Sequence, residues 1–347
     1  MASVSPDRKP IADASAWRGE ELERDPHWIH QVGPTEIDEI DSALQYLHTK
    51  GAVVPFEASD FVAPATAAFL HRVADTLDHG CGAALIRGLP SERYSAADCE
   101  LIFWGLGIQL GHPISQNSQG HRLGHVRDQG KSINDPNVRV YQTRGNLDFH
   151  ADQLPVDVLG LFCVHPARSG GVSKIVSATA IHDVMLTERA DLLEVLYQPF
   201  HLDWRGEEPP GAEPWYRVPM YSEADGWVTS RFTSLAYFRS TARFGEEYAL
   251  TPAQFEALDL VQNIAGRPEM QLSVLFEAGD IQLLNNHVTL HAREAFEDHP
   301  EPERKRHLLR MWLAYPPERR RPLSPLLAER YELVEAGGIP ARNQSLP

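Results

Sequence analysis

Residues 146–152 read Asn146-Leu147-Asp148-Phe149-His150-Ala151-Asp152 and end in His-X-Asp. On an extended strand, a spacing of two points both side chains to the same face. An imidazole beside a carboxylate is two of the three ligands in the 2-His-1-carboxylate set that holds non-haem iron. By itself the tripeptide is weak evidence, because most His/Asp neighbours are a hydrogen-bonded pair or a surface accident. A metal site also needs a third ligand from a strand that folds back beside the first pair.

The stretch Asn285-Asn286-His287-Val288-Thr289-Leu290-His291 follows an apolar strand and offers two candidates, His287 and His291. A facial triad leaves adjacent positions open on an octahedral ion, enough for a bidentate ligand and dioxygen. A bidentate 2-oxo acid would then need a cation for its far carboxylate. Arg306 and Arg310 lie four apart on the apolar run RHLLRMWL (306–313) and share a strand face with Leu308 and Trp312. A guanidinium among apolar neighbours is expensive to bury unpaired, and its planar fork matches a carboxylate. The plainer alternative pairs each arginine with a structural Asp or Glu.

Composition bounds the rest. The 347 residues carry a formal net charge of −16, which disfavours a nucleic-acid partner, since phosphate backbones require clustered cations. The short run Glu318-Arg319-Arg320-Arg321 reads as a solvated turn. Cys81, Cys99 and Cys163 are odd in number and have no CxxC spacing, which suits a reducing compartment. The polar N-terminus has no signal-peptide core, and no apolar stretch reaches the ~18–20 residues of a membrane span. A cytoplasmic protein with a small-molecule substrate and no membrane partner is expected.

Helices are expected over 35–50, 64–78, 95–110, 180–194 and from the capping box at Thr251 to 264. Strands are expected over 81–89, 138–141, 158–165, 174–178 and 307–315. The runs 270–277 and 280–285 read as a hairpin joined at Ala278-Gly279. The polar stretch 111–131 and the Pro/Gly/Glu-rich 204–223 read as functional loops, the second as a lid. The pattern fits an all-β core dressed with helices. Residues 1–30 read as a loose arm, with Trp17 and Trp28 able to tie it down. Residues 31–335 form one domain with a lid or insert around 204–250, and 336–347 form a tail.

At this point the chain resembles the taurine dioxygenase/2,4-dichlorophenoxyacetate dioxygenase family of Fe(II)- and 2-oxoglutarate-dependent oxygenases. The likeness runs from about Thr35 to Tyr331. It is strongest in FHADQ (149–153), PARSGGVSKIVSA (166–178), GDIQLLNNHVTLHAR (279–293) and ERKRHLLRMWL (303–313). The resemblance implies a double-stranded β-helix, or jelly-roll, core, mainly β with flanking helices. It makes His150, Asp152 and His291 the iron ligands and leaves His287 behind them or at the surface. Arg306 and Ser173 match the residues that hold the C5 carboxylate of 2-oxoglutarate. Arg310 and Asn146 match positions that contact substrate in some members, and a homodimer would be in keeping with the family. The implied reaction hydroxylates a C–H bond of a small, anionic substrate with dioxygen, releasing succinate and CO2. Retention of Asp152 disfavours halogenation, whereas desaturation and cyclisation stay open. Two rival readings are a zinc hydrolase at the same three residues and a non-catalytic scaffold. The first does not explain Arg306 and Ser173, and the second leaves the survival of all three ligands unexplained. The chain departs from the family in having Ala151 where threonine is common, and in a longer interval between His291 and Arg306.

Overall fold

The computed structural model describes residues 8–130, 143–153, 156–333 and 338–341. The expected strand at 138–141 and most of the expected tail lie outside them.

Two sheets organise the chain. The larger has seven strands, in the order Ile29–Gln31, Ala83–Arg87, Ile281–Asn285, Val158–His165 and His307–Ala314, with His112–Pro113 and Leu123–Val126 both against the last. The smaller runs Leu272–Val274, Ser173–Ser177, Thr289–Arg293 and Leu147–His150. Pairing is antiparallel except between the first two strands of the larger sheet.

The strand His307–Ala314 shows how sequence sets the layers. Its odd positions Leu309, Met311 and Leu313 pack into a cluster with the helices Pro34–Lys50, Pro64–Asp78 and Ala96–Leu110. Its even positions point the other way, and Leu308 and Trp312 join Leu161 and Leu284 there. They meet Ile175, Leu272 and Val274 of the smaller sheet in one buried cluster, so the sheets face each other. The period of two makes this register stringent, because a one-residue slip would exchange the two faces. Burying each large apolar side chain contributes about 1.5–3 kcal/mol. The outer face of the smaller sheet, through Val176 and Leu290, is covered by Ala178–Glu188, Ala190–Leu196 and Pro252–Ala265.

Several helix expectations agree closely. Pro64–Asp78 has the expected bounds, Ser95 caps Ala96–Leu110 by accepting from Asp98 N, and Thr251 caps Pro252–Ala265. Other expectations need correction. The helices are too extensive for a mainly β description, and the chain is a mixed one built on a β-sheet core. The helix expected at 180–194 is two helices broken at Arg189, whose guanidinium instead pairs with Asp191 and Glu256. The region 204–223 is not a plain loop. Trp215–Pro219 pairs with Pro199–Asp203, and Tyr221–Ala224 pairs with Trp227–Ser230.

The hairpin expected at Ala278-Gly279 does not form. Leu272–Val274 belongs to the smaller sheet and Ile281–Asn285 to the larger, so the chain crosses between sheets at this corner. Gly279 has φ +92°, and a Cβ there would stand 2.1 Å from the Leu89 carbonyl oxygen. Asp280 then anchors the corner to the larger sheet through a two-pronged pair with Arg87, at 3.0 and 2.7 Å. The described part of the N-terminal arm, residues 8–30, is docked rather than loose, and the two tryptophans tie it down as expected. Trp17 and Trp28 are buried, the Trp17 indole donates to Cys81 O, and Ile29–Gln31 extends the larger sheet. Among the described residues no helix is long and apolar enough to cross a membrane.

Candidate functional site

The site lies between the sheets, at the edge where Leu147–His150 meets Thr289–Arg293. His150 and His291 are register partners on these strands, with ring centroids 4.2 Å apart. Asp152 follows two residues later, its Oδ1 3.7 Å from His150 Nε2 and 3.9 Å from His291 Nε2. Ligand atoms of the three all lie within 4.8 Å of one another. Asn286 fixes the backbone at Asp152: its Oδ1 accepts from Asp152 N and its Nδ2 donates to Asp152 O, each at 2.9 Å.

The protonation states suit a divalent metal, which requires neutral imidazoles and an ionised carboxylate. The His150 Nδ1–H donates to Asp148 O at 2.8 Å, leaving the Nε2 lone pair turned toward the other two residues. Burial, reinforced by His150, lowers the His291 pKa to about 3. Burial alone would raise the Asp152 carboxyl, but Arg310, the two histidines and the Trp312 indole outweigh it and hold it low. The donor set therefore fits iron.

Trp312 Nε1 donates to Asp152 Oδ2 at 2.5 Å, which leaves Oδ1 as the atom facing the histidines. Residues that orient a ligand in this way typically matter 10–100-fold in metal affinity. Trp312→Phe should weaken Fe(II) or Mn(II) binding by about that factor, measured by competition with a chelator. An unchanged affinity would reduce the indole to packing.

The three residues open into a cavity of about 770 Å³ that also contacts Ser173, Arg306 and Arg310. Arg306 is almost wholly buried, its Nη1 has no partner, and burial brings its pKa down to about 10. Ser173 Oγ donates to Gln282 Oε1 at 3.0 Å while Gln282 Nε2 is unpartnered. Turning that carboxamide over would let it donate to Ser173 and free the hydroxyl hydrogen for an anion in the cavity. Arg310 is already engaged. Its Nε donates to Gln116 Oε1 at 2.7 Å, its Nη1 lies 3.7 Å from Asp152 Oδ2, and it stacks over Trp312. Asn146 does not line the cavity. It is exposed, and its Oδ1 accepts from Ala295 N at 2.6 Å, latching two backbone segments together. Sequence reasoning missed Arg293, Gln116 and Asn286. Of these Arg293 and Asn286 left a signal, Arg293 lying two beyond His291 and so on the same strand face, and Asn286 within the stretch that leads to His291.

His287 is not at the surface but inside a buried network. Its Nε2–H donates to Asp157 Oδ1 at 2.7 Å and its Nδ1 accepts from Arg231 at 3.2 Å. Asp157 also accepts from Tyr331 Oη, Tyr315 N and Arg320. Burial, then Arg231, lowers the His287 pKa to about 3, and Asp157 falls to about 2. Unfolded, His287 takes a proton near 6.5; folded, it takes none until about 3. The unfolded chain therefore binds more protons over that window, and acid favours unfolding. Stability in urea should fall below pH 6.5 by up to about 1.4 kcal/mol per pH unit from this group. His287→Gln should flatten the slope, and an unchanged slope would assign the acid sensitivity elsewhere.

A 2-His-1-carboxylate set opening on a cavity with a buried arginine defines a non-haem iron oxygenase that uses a 2-oxo acid. The chain belongs to the taurine catabolism dioxygenase TauD, TfdA family, whose profile matches residues 45–312. FR-33289 synthase from Streptomyces rubellomurinus is 32% identical over 312 residues, covering 88% of this chain and 91% of that protein. Among solved structures, asparagine oxygenase with Fe(II), 2S,3S-3-hydroxyasparagine and succinate aligns with a TM-score of 0.60 at 16% identity, over 82% of this chain and 93% of that one. The non-haem iron oxygenase OrfP with iron, succinate and (3S)-hydroxy-L-Arg aligns at 0.62 and 14% identity, over 90% and 99%. The chain is accordingly a 2-oxoglutarate-dependent non-haem iron dioxygenase that acts on a small molecule.

Proposed function

We propose that this dioxygenase hydroxylates an unactivated C–H bond of a small anionic substrate. The observation that carries the anionic part is the charge of the cavity. In a chain of net charge −16, the lining contributes five arginines: Arg205, Arg239, Arg293, Arg306 and Arg310. Against them stand three carboxylates, Asp148, Asp152 and Glu207. A positive cleft in a negative protein concentrates anions locally.

His150 Nε2, His291 and Asp152 Oδ1 would hold Fe(II), on the double-stranded β-helix arrangement typical of the family. Iron and 2-oxoglutarate together would supply the oxidising power for inserting one oxygen atom from dioxygen, with release of succinate and CO2. The chain's own work is placement. Trp312 and Arg310 hold Asp152 Oδ2 away from the metal side, while Arg306 and Ser173 receive the far carboxylate of 2-oxoglutarate. Arg310 faces the substrate's anionic group, and Val126, Leu161, Phe276 and Leu308 supply apolar wall that keeps water from the reacting carbon. The hydroxylated amino acids and succinate in the two solved relatives support hydroxylation over desaturation.

The test is a panel of small carboxylates and phosphates, each beside a neutral isostere, scored by substrate-dependent succinate release. Anionic members should stimulate release and give a product heavier by one oxygen atom. Equal stimulation by the neutral isosteres would remove the anion from the proposal, and a product lighter by two hydrogens would replace hydroxylation with desaturation.

A further inference from the structure

Arg293 sits beside Arg306 without a reason in the scheme so far. It is 7% exposed and lines the cavity. Its Nη2 donates to Thr143 O and Gly145 O at 2.9 and 2.6 Å, but its buried Nε has no partner. Asp128 acts on Arg293 and Asp298 on Arg306 through charge, each behind burial and one other neighbour, and among the described residues neither carboxylate forms an ion pair with its arginine. Both guanidinium carbons lie over the Phe296 ring, at 4.9 Å for Arg293 and 5.0 Å for Arg306. Burial first, and then the charge of Arg306, brings the Arg293 pKa down to about 10.

Two adjacent buried cations with unpaired N–H groups are an arrangement in need of an anion. The backbone places that anion. Arg293 is the register partner of Ser173, across Thr289–Arg293 and Ser173–Ser177. Gly171, two residues before Ser173, leaves the Arg306 side free: a Cβ there would come within 3.4 Å of Arg306 Nε. Ser173, Arg293 and Arg306 thus bound one end of the cavity.

We propose that Arg293 is a second cation for the distal carboxylate of 2-oxoglutarate, forming with Arg306 and Ser173 a two-arginine clamp. The proposal rests on the reading that Arg306 receives that carboxylate. The clamp would select a five-carbon 2-oxo diacid over 2-oxo acids that lack the second carboxylate. The contacts to Thr143 O and Gly145 O give Arg293 a tethering role as well, so the test must separate anion contact from tethering.

The experiment titrates the anaerobic Fe(II)-loaded full chain with 2-oxoglutarate, and separately with 2-oxovalerate, following the visible charge-transfer band of the chelate. The second ligand keeps the chelating end and lacks the far carboxylate. Arg293→Met should weaken 2-oxoglutarate binding about tenfold, the loss of one charge-assisted hydrogen bond, and leave 2-oxovalerate unchanged. Arg293→Lys, which keeps a cation and can still donate to the two carbonyls, should recover part of the loss. If both ligands weaken equally, Arg293 is only a tether and the clamp is overturned. If Arg293→Met binds 2-oxoglutarate as the wild type does while Arg306→Met does not, the clamp fails and the Arg306 reading stands. If neither variant discriminates between the two ligands, the Arg306 reading fails and takes the clamp with it. Should Arg293→Met not fold, Arg293→Lys decides alone: selective weakening toward 2-oxoglutarate supports the clamp, and wild-type binding of both ligands overturns it.

Discussion

Asp152→Ala should cut substrate-dependent succinate formation by about a thousandfold or more, the several kcal/mol that metal-centred charge stabilisation is worth. The carboxylate is the only anion among the three candidate ligands, and Trp312 and Arg310 both orient it. Its loss leaves two imidazoles beside Arg310 with no anion among the three positions, a poor environment for a divalent cation. Chelator competition in parallel should show weaker iron binding. Activity within tenfold of wild type would remove Asp152 from the centre.

The second large effect concerns the arginines four residues apart. Arg306→Met should raise the KM for 2-oxoglutarate about a hundredfold, because hydrogen bonds from a charged group are worth about 1.5–3 kcal/mol each. Arg306→Lys should lie between, since a point charge cannot reproduce the fork. Arg310→Met should instead raise the KM for the prime substrate and leave the 2-oxoglutarate requirement near normal. The structure separates the two by environment. Arg306 is buried with an unpartnered Nη1, whereas Arg310 is held by Gln116 and Asp152 nearer the three ligands. Exchange of the two phenotypes would exchange the roles.

How much of this could be read from the chain differs from element to element. The spacing of His150 and Asp152, and the alternation of Arg306, Leu308, Arg310 and Trp312 against Leu309, Met311 and Leu313, are local periodicities. Local periodicity places side chains on faces, and the structure has them there. The Ala278-Gly279 corner was not legible. Glycine at a turn signals a change of direction, while the sheet that receives the next strand depends on Asp280 meeting Arg87, 193 residues away in the chain. The docking of residues 8–30 was legible only in Trp17 and Trp28, which tie the segment down, since a polar, proline-bearing stretch gives no period to show where it lies. The position of His287 was hidden because nothing near it in sequence announces Asp157 and Arg231 as its partners. Asn146 misled in the opposite direction: the resemblance suggested a substrate contact, yet the residue lies just before the strand Leu147–His150, and its side chain is spent on Ala295 N.

The most direct test of the centre is anaerobic. Fe(II) and 2-oxoglutarate added to the protein should give the weak visible charge-transfer band of a chelate, absent in Asp152→Ala and formed only at raised 2-oxoglutarate in Arg306→Met. Admitting dioxygen with substrate should bleach the band and yield one succinate per hydroxylated product. A protein that binds Fe(II) yet forms no band with 2-oxoglutarate, and yields no succinate with dioxygen, would contradict the account.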